Sequence, residues 1–274
     1  MERLGSTYPT AFVSGASAGL GQAFTRMLLG EGVRVWGSSR DLSRLSVLAS
    51  EFPGAFFPVA LDLADGPGVE RAFEAARAAA GGAFDLVLNC AGYGVYGEFD
   101  VVEGSVWRGQ MEGMLGSVVA LSHAAYRSMR ARGKGTLVHV SSIAAEFPIP
   151  FMSGYNVAKA GLSALSESLI FEARGSAITV IDFRPGDYRT EFNRAMQIGT
   201  QTDRTRRLWV KLDAMFSSAP LPQRAAADMR RALLANRSGI VRSGSFFQAT
   251  AAPFLARFIP ASLRRWALAT YFGA

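Results

Sequence analysis

Short apolar runs alternate along this chain with longer stretches whose apolar residues recur at helical spacing. The runs at 10–14, 33–38, 55–60, 84–89, 135–141, 177–182 and 239–242 are four to seven residues long and read as strands. The stretches at 20–30, 41–50, 67–79, 103–131, 154–173 and 223–236 read as helices. Alternation of this kind predicts an α/β fold, a doubly wound parallel seven-stranded sheet with helices on both faces. No Pro/Gly/Ser-rich linker, internal repeat or low-complexity tract divides the sequence, so residues 1–274 are expected to form a single domain with a sizeable core. Ligands of such sheets sit beyond the carboxyl ends of the strands, where the strand order reverses.

Candidate chemistry gathers at those ends. After the first run comes Ser14-Gly15-Ala16-Ser17-Ala18-Gly19-Leu20-Gly21, then a helical pattern. Strand, glycine turn and helix in that order make an anion site, because glycines admit a pyrophosphate close to the backbone and a helix N-terminus offers unpaired N–H groups. Further on, Tyr155 and Lys159 stand four residues apart, one turn along one helix face, thirteen residues after Ser142. A free tyrosine has a pKa of about 10, and a neighbouring ammonium favours its phenolate, bringing it nearer to acid–base work at neutral pH.

In this order the motifs resemble the short-chain dehydrogenase/reductase family over roughly residues 10–190. The resemblance implies a Rossmann-type fold and a nicotinamide cofactor. It makes Gly15, Ser17, Gly19, Leu20 and Gly21 the pyrophosphate loop and Asp62-Leu63 the adenine-contacting pair. It places Asn89, Ala91 and Gly92 beside the nicotinamide ribose and Ser142, Tyr155 and Lys159 at the reacting carbonyl. Pro185, Gly186, Tyr188 and Thr190 would lie along the nicotinamide. By the same resemblance Tyr155 donates a proton to the substrate oxygen, Ser142 adds a hydrogen bond, and Lys159 bonds the ribose and lowers the Tyr155 pKa. Ser141 is expected to be structural. One position departs from the family: aligning Gly116 with its usual glycine puts Gly113 where an asparagine normally supports a proton relay. Either Glu112 or Ser117 substitutes, or the relay is weakened. A non-catalytic, NADP(H)-binding relative with a regulatory or scaffolding role is the alternative to an enzyme.

The end of the second strand bears on cofactor choice. Between Val33 and Arg40 no acid stands where an NAD-type enzyme would bond the ribose 2′-hydroxyl; Ser39 and Arg40 occupy the spot. A guanidinium suits a 2′-phosphate, since its planar donors meet two oxygens together. NADP(H) is therefore expected, with a solvated loop arginine as the bland reading of Arg40.

Residues 191–220 resemble the family's variable substrate lid and mix apolar residues with arginines. Phe147, Ile149, Phe151 and Met152, with Phe192 and Trp209 from the lid, are expected to wall an apolar cleft suited to a lipophilic carbonyl or acyl chain. The tail, 251–274, carries Leu263, Trp266, Ala267 and Tyr271 as a helical stripe beside Arg264 and Arg265. Such a stripe can cover the lid or a partner subunit, or lie on an anionic membrane; the first pair is favoured.

Composition narrows the classes. A net charge of +7 leans toward anionic partners, but no nucleic-acid motif organises it. The single cysteine, Cys90, excludes an intramolecular disulfide framework and fits a reducing, cytoplasmic setting. A first strand near residue 10 is expected to leave no room for a signal peptide, no apolar run reaches membrane-spanning length, and no metal is expected. The family precedent implies a homodimer or homotetramer built on the helices near 103–131 and 154–173.

Overall fold

A computed structural model describes residues 3–272; the outermost ends of the expected domain and tail, 1–2 and 273–274, lie outside the described residues. Seven parallel strands form one sheet: β1 (Thr10–Ser14), β2 (Arg34–Ser39), β3 (Phe56–Ala60), β4 (Leu86–Asn89), β5 (Lys134–Val140), β6 (Ala177–Pro185) and β7 (Gly239–Ser243). Their order is β3-β2-β1-β4-β5-β6-β7, so the winding reverses between β1 and β4.

Side-chain alternation along the strands divides the core into two layers. Ala11 and Val13 face one layer while Phe12 faces the other; Leu86 and Leu88 likewise oppose Val87, and Ile181 and Phe183 oppose Val180. Helices α1 (Gly19–Gly30) and α7 (Pro222–Ala235) cover the first face, where Phe24 and Leu28 meet Ala225, Met229 and Leu233. Arg230 pairs with Glu31 at 2.8 Å along the same contact. The second face is covered by α2 (Gly66–Ala79), α4 (Ser117–Arg132) and α5 (Ser153–Glu172), around an aromatic cluster in which Phe12 meets Phe73 edge-on at 5.2 Å. Such pairs contribute about 0.5–1.5 kcal/mol beyond area burial.

Several expected boundaries shift for local reasons. The helix expected over 103–131 is interrupted: α3 (Gly104–Met111) passes through a π turn at Glu112–Gly116 before α4 begins. The stretch 41–50 starts as a 3₁₀ turn, Leu42–Leu45, capped by Asp41, and becomes α-helical only at Ser46. Strand β6 runs three residues past its expected end because Arg184 and Pro185 pair with Arg242 and Ser243. Within the lid, a two-residue strand Gln197–Ile198 pairs with Val95–Tyr96, and helix α6 (Asp203–Ser217) begins with a capping box between Thr202 and Thr205. The tail folds into a π turn at Phe247–Ala251, a short helix at Ala252–Leu255 and α8 (Ala261–Phe272). No helix among the described residues is long and apolar enough to cross a membrane.

Candidate active site

A cleft of about 850 Å³ opens beyond the carboxyl ends of β1 and β4, at the reversal of the strand order. Ser14 ties this point together, its Oγ accepting from the backbone N–H groups of Cys90 at 3.0 Å and Ala91 at 3.1 Å. Gly15 turns with φ +76°, and a Cβ there would sit 2.7 Å from the Ala91 backbone; a Cβ on Gly21 would sit 2.1 Å from the Gly15 carbonyl oxygen. Only glycine fits such approaches. Helix α1 then begins with no side-chain cap, leaving first-turn N–H groups directed at the cleft. This cradle and the cleft's volume fit a dinucleotide pyrophosphate.

At the β2 end, Ser39 Oγ donates to Ser17 Oγ at 3.1 Å, and Arg40 and Arg44 line the rim. Asp41 lies on the same rim, one residue beyond the acid-free run. Its carboxylate is turned to Ser43, accepting from N at 2.9 Å and Oγ at 2.7 Å, and these bonds hold it below its ordinary pKa. Arg44 bonds Glu191 of the lid at 3.3 Å.

The reacting end is built by β5, the turn after it and α5. Ser141 and Ser142 point apart: Ser141 bonds the buried Asp182 carboxylate, while Ser142 caps the 3₁₀ turn Ile143–Ala145 and lines the cleft. Tyr155 is half-buried in the first turn of α5 and lines the cleft together with Ser142. Lys159 follows one turn later, with Nζ 5.7 Å from the Tyr155 ring centroid and donating to the Val140 carbonyl at 2.7 Å.

The electrostatics depart from the expected lowering of the tyrosine by the lysine. Burial pushes the Tyr155 phenol up to about 12; the nearby Ser142 hydroxyl opposes this, and Asp187 and Cys90 reinforce it. Burial pushes Lys159 down to about 8, against the attraction of Cys90 and Asp182. Desolvation thus outweighs the pairing for both groups. The Cys90 thiol is pushed up to about 12 by the same burial and is protonated at neutral pH.

Of the residues singled out in sequence, the glycine loop, Ser17, Leu20, Ser39, Arg40, Asp62, Leu63, Ala91 and Gly92 line the cleft. So do Ser142, Tyr155, Lys159, Pro185, Gly186, Tyr188, Thr190, Met152 and Phe192. Asn89, Phe147, Phe151 and Trp209 are not on its wall. The Asn89 amide donates to Ser122 Oγ at 3.0 Å, and its Oδ1 is buried without a partner. Asn156 explains Phe151: its side chain bonds both the N–H and the carbonyl of Ile149, fixing a turn in which Phe151 takes φ +62°. That turn sends Ile149 and Met152 into the cleft and Phe151 against Tyr96, with ring centroids 5.9 Å apart. Trp209 packs on the other side of the same contact, 5.0 Å from Tyr96.

Residues the sequence reading passed over complete the site. Gly113 does line the cleft, where a Cβ would make only ordinary contacts at 3.7 Å, and its neighbour Met114 lines it too. Its Cε comes 3.1 Å from where a Gly92 Cβ would stand, and that point is 3.8 Å from Lys159 Nζ. Ser117 is committed to the Leu63 carbonyl at 2.6 Å, and Glu112 does not line the cleft, so neither substitutes at the lysine. Asp187 enters from the Pro185–Thr190 segment, raised by burial and bonded to Gln248 of the tail. Among the described residues there is no cluster of metal-ligating side chains.

Comparisons with known proteins agree with this geometry. The short chain dehydrogenase family model matches residues 9–200. An uncharacterized oxidoreductase of Myxococcus xanthus is 34% identical over 188 residues, covering 68% of this chain and 74% of the relative. Another, from Schizosaccharomyces pombe, is 32% identical over 191 residues, covering 68% of this chain and 63% of the relative, less than two thirds of its length. A short-chain dehydrogenase structure from Streptomyces avermitilis superposes with a TM-score of 0.83 at 25% identity, covering 97% of this chain and 98% of that one. With the glycine cradle at the sheet reversal and the Ser–Tyr–Lys arrangement at its mouth, the chain belongs to the short chain dehydrogenase family of oxidoreductases.

Proposed function

We propose that the protein is an NADP(H)-dependent reductase that converts a lipophilic ketone, aldehyde or 3-ketoacyl compound to an alcohol. The observation that carries this reading is the convergence of Ser142, Tyr155 and Lys159 on one cleft, Lys159 one turn along from Tyr155, at the junction of a glycine-lined cradle and an apolar wall of Ile149, Met152, Phe192 and Phe216. The bound nicotinamide supplies hydride to the carbonyl carbon. The chain's own residues do the rest: the loop Gly15–Gly21 holds the pyrophosphate, Asp62 and Leu63 border the adenine, and Gly186 to Thr190 orient the ring. Tyr155 holds the proton destined for the substrate oxygen, and Ser142 fixes that oxygen with a second bond. A phenol kept protonated well above neutrality suits an acid. Arg40, with Arg44 behind it, meets the 2′-phosphate.

Tyr155→Phe should retain NADPH binding, read by fluorescence titration, while reduction falls about 10²–10⁴-fold; an active variant would overturn the assignment. A second reading, a cofactor-binding relative without efficient turnover, is favoured by Gly113 on the cleft wall, which offers no side chain to a proton relay. Turnover across ketoacyl, steroid, long-chain aldehyde and sugar substrates separates the two. The working unit is a homodimer or homotetramer, supported by Val157 and Phe171 exposed on α5 and Val119 exposed on α4. A single cysteine, Cys90, fits a reducing, cytoplasmic setting.

A further inference from the structure

All 22 acidic residues of the chain lie at or before Asp228, together with 22 of its 29 basic ones. The seven remaining basic residues are arginines, so the whole net charge of +7 belongs to residues 229–274. Arg230, Arg231 and Arg242 pair with Glu31, Asp228 and Glu146. Arg257, Arg264 and Arg265 are exposed, in a segment without a carboxylate.

Large apolar side chains stand among these arginines. Phe254, Phe258 and Trp266 are 57%, 71% and 66% exposed, and Phe246 and Leu263 are exposed as well. Helix α8 is two-faced. Leu268 and Phe272 pack into the lid cluster with Leu208, Leu212 and Phe216. At about 100° per residue, Leu263 and Trp266 point away from that contact. Of the stripe expected to cover the lid or a partner subunit, Tyr271 stacks on Phe247 at 6.3 Å, while Leu263 and Trp266 stay exposed. Phe254 and Phe258 pack edge-on at 5.2 Å, and so many large apolar side chains exposed in one short segment are uncommon on a surface that meets only water.

We propose that this tail surface docks the protein on a bilayer containing anionic phospholipid. Phe254, Phe258 and Trp266 enter the boundary between headgroups and acyl chains, and Arg257, Arg264 and Arg265 meet the headgroup phosphates. Charge complementarity selects this occupant over a second copy of the chain. A two-fold pair joined here would set the same three arginines against each other with no carboxylate in the segment to pair them. The docking stands apart from the cleft's chemistry; where the reductase reading also holds, the lid cluster that α8 covers faces the phase in which a lipophilic carbonyl dissolves.

The test is cosedimentation of the full chain with phosphatidylcholine vesicles, with and without phosphatidylglycerol, read without cofactor or substrate so that a failed reductase assignment leaves the result intact. Binding is expected only to the anionic vesicles and should weaken as salt is raised. Replacing Arg257, Arg264 and Arg265 by glutamine should lower the partition coefficient on the order of a hundredfold, at roughly fivefold per arginine. Trp266 is the exposed one of four tryptophans, so vesicles should blue-shift the emission of the unaltered protein and not of Trp266→Phe. Absence of binding to anionic vesicles, or equal binding by the triple variant, would overturn the proposal. So would a dimer that the double substitution Phe258→Ser and Trp266→Ser dissolves while vesicles leave the unaltered protein unbound.

Discussion

Lys159 Nζ donates a 2.7 Å hydrogen bond to the carbonyl oxygen of Val140, the last residue of β5. The contact joins α5 to the strand end two residues ahead of Ser142, so one bond fixes the ammonium in relation to both Ser142 and Tyr155. It also keeps a charge in a buried place, and burial brings the lysine down to about 8 from an ordinary 10.5. Reduction that needs this cation should decline as pH rises through about 8, visible as the alkaline limb of kcat/KM. A limb near the ordinary lysine value would show that the ammonium is better solvated than its surroundings imply. For stability the sign is the reverse of the usual lysine case: between about 8 and 10.5 the unfolded chain holds more protons, so the contribution of Lys159 improves as pH rises through that window.

His139 gives an acid-side prediction. It is fully buried on β5, its ring nitrogens bonded to Ser122 at 2.9 Å and Ser166 at 2.8 Å, and burial lowers its pKa to about 4. Its folded pKa lies below its unfolded one, so the unfolded chain gains protons first and stability is lost as pH falls from about 6.5 toward 4. Over that window the loss should reach about 3 kcal/mol. Denaturant titrations of His139→Gln should show a flatter profile there; an unchanged profile would assign the acid sensitivity to carboxylates instead.

Arg40→Ala should weaken NADPH binding about 10–100-fold, the usual worth of a charge-assisted hydrogen bond, while NADH binding changes little. Isothermal titration with both cofactors checks it. Equal losses would mean that Arg40 serves only as a solvated loop cation, and would shift attention to Arg44 on the same rim.

Arg184 anchors a buried charge network and should be costly to remove. Its guanidinium bonds the fully buried Asp182 at 2.7 Å and Glu146 at 2.5 Å, and Ser163 Oγ donates to the same Asp182 at 2.7 Å. Arg184→Met should destabilise by about 3–5 kcal/mol, because it strands a buried carboxylate. Adding Asp182→Asn should recover part of the loss in thermal melts. Additive losses in the double variant would argue that packing rather than charge dominates there.

How far the sequence discloses this molecule depends on the range of each interaction. Strands such as Leu86–Asn89 are legible because burial on both faces demands a continuous apolar run, and the turn at Gly15 is legible because steric demand there leaves one residue type. The face of a side chain in an irregular turn is not legible in the same way. Phe151 and Trp209 read as cleft residues from their hydrophobicity, yet the Asn156 bonds to Ile149 turn Phe151 out and Trp209 packs on Tyr96 behind the wall. Met114 carries no signal beyond that of any apolar helix residue; only the π turn at Glu112–Gly116 and the approach to Gly92 reveal its place. The Asp182–Arg184–Glu146–Arg242 chain joins residues up to 96 positions apart, a pairing that composition cannot disclose.

The contact between α1 and α7 has a consequence for the making of the chain. The apolar stripe of Phe24, Leu28 and Leu29 is finished by Ala225, Met229 and Leu233, which are encoded some 200 residues later. At about 5–20 residues per second, a ribosome needs on the order of 10–40 s to supply the cover. For that interval the first helix emerges with its sticky side bare, and a holding chaperone would find its target there before the sheet can close.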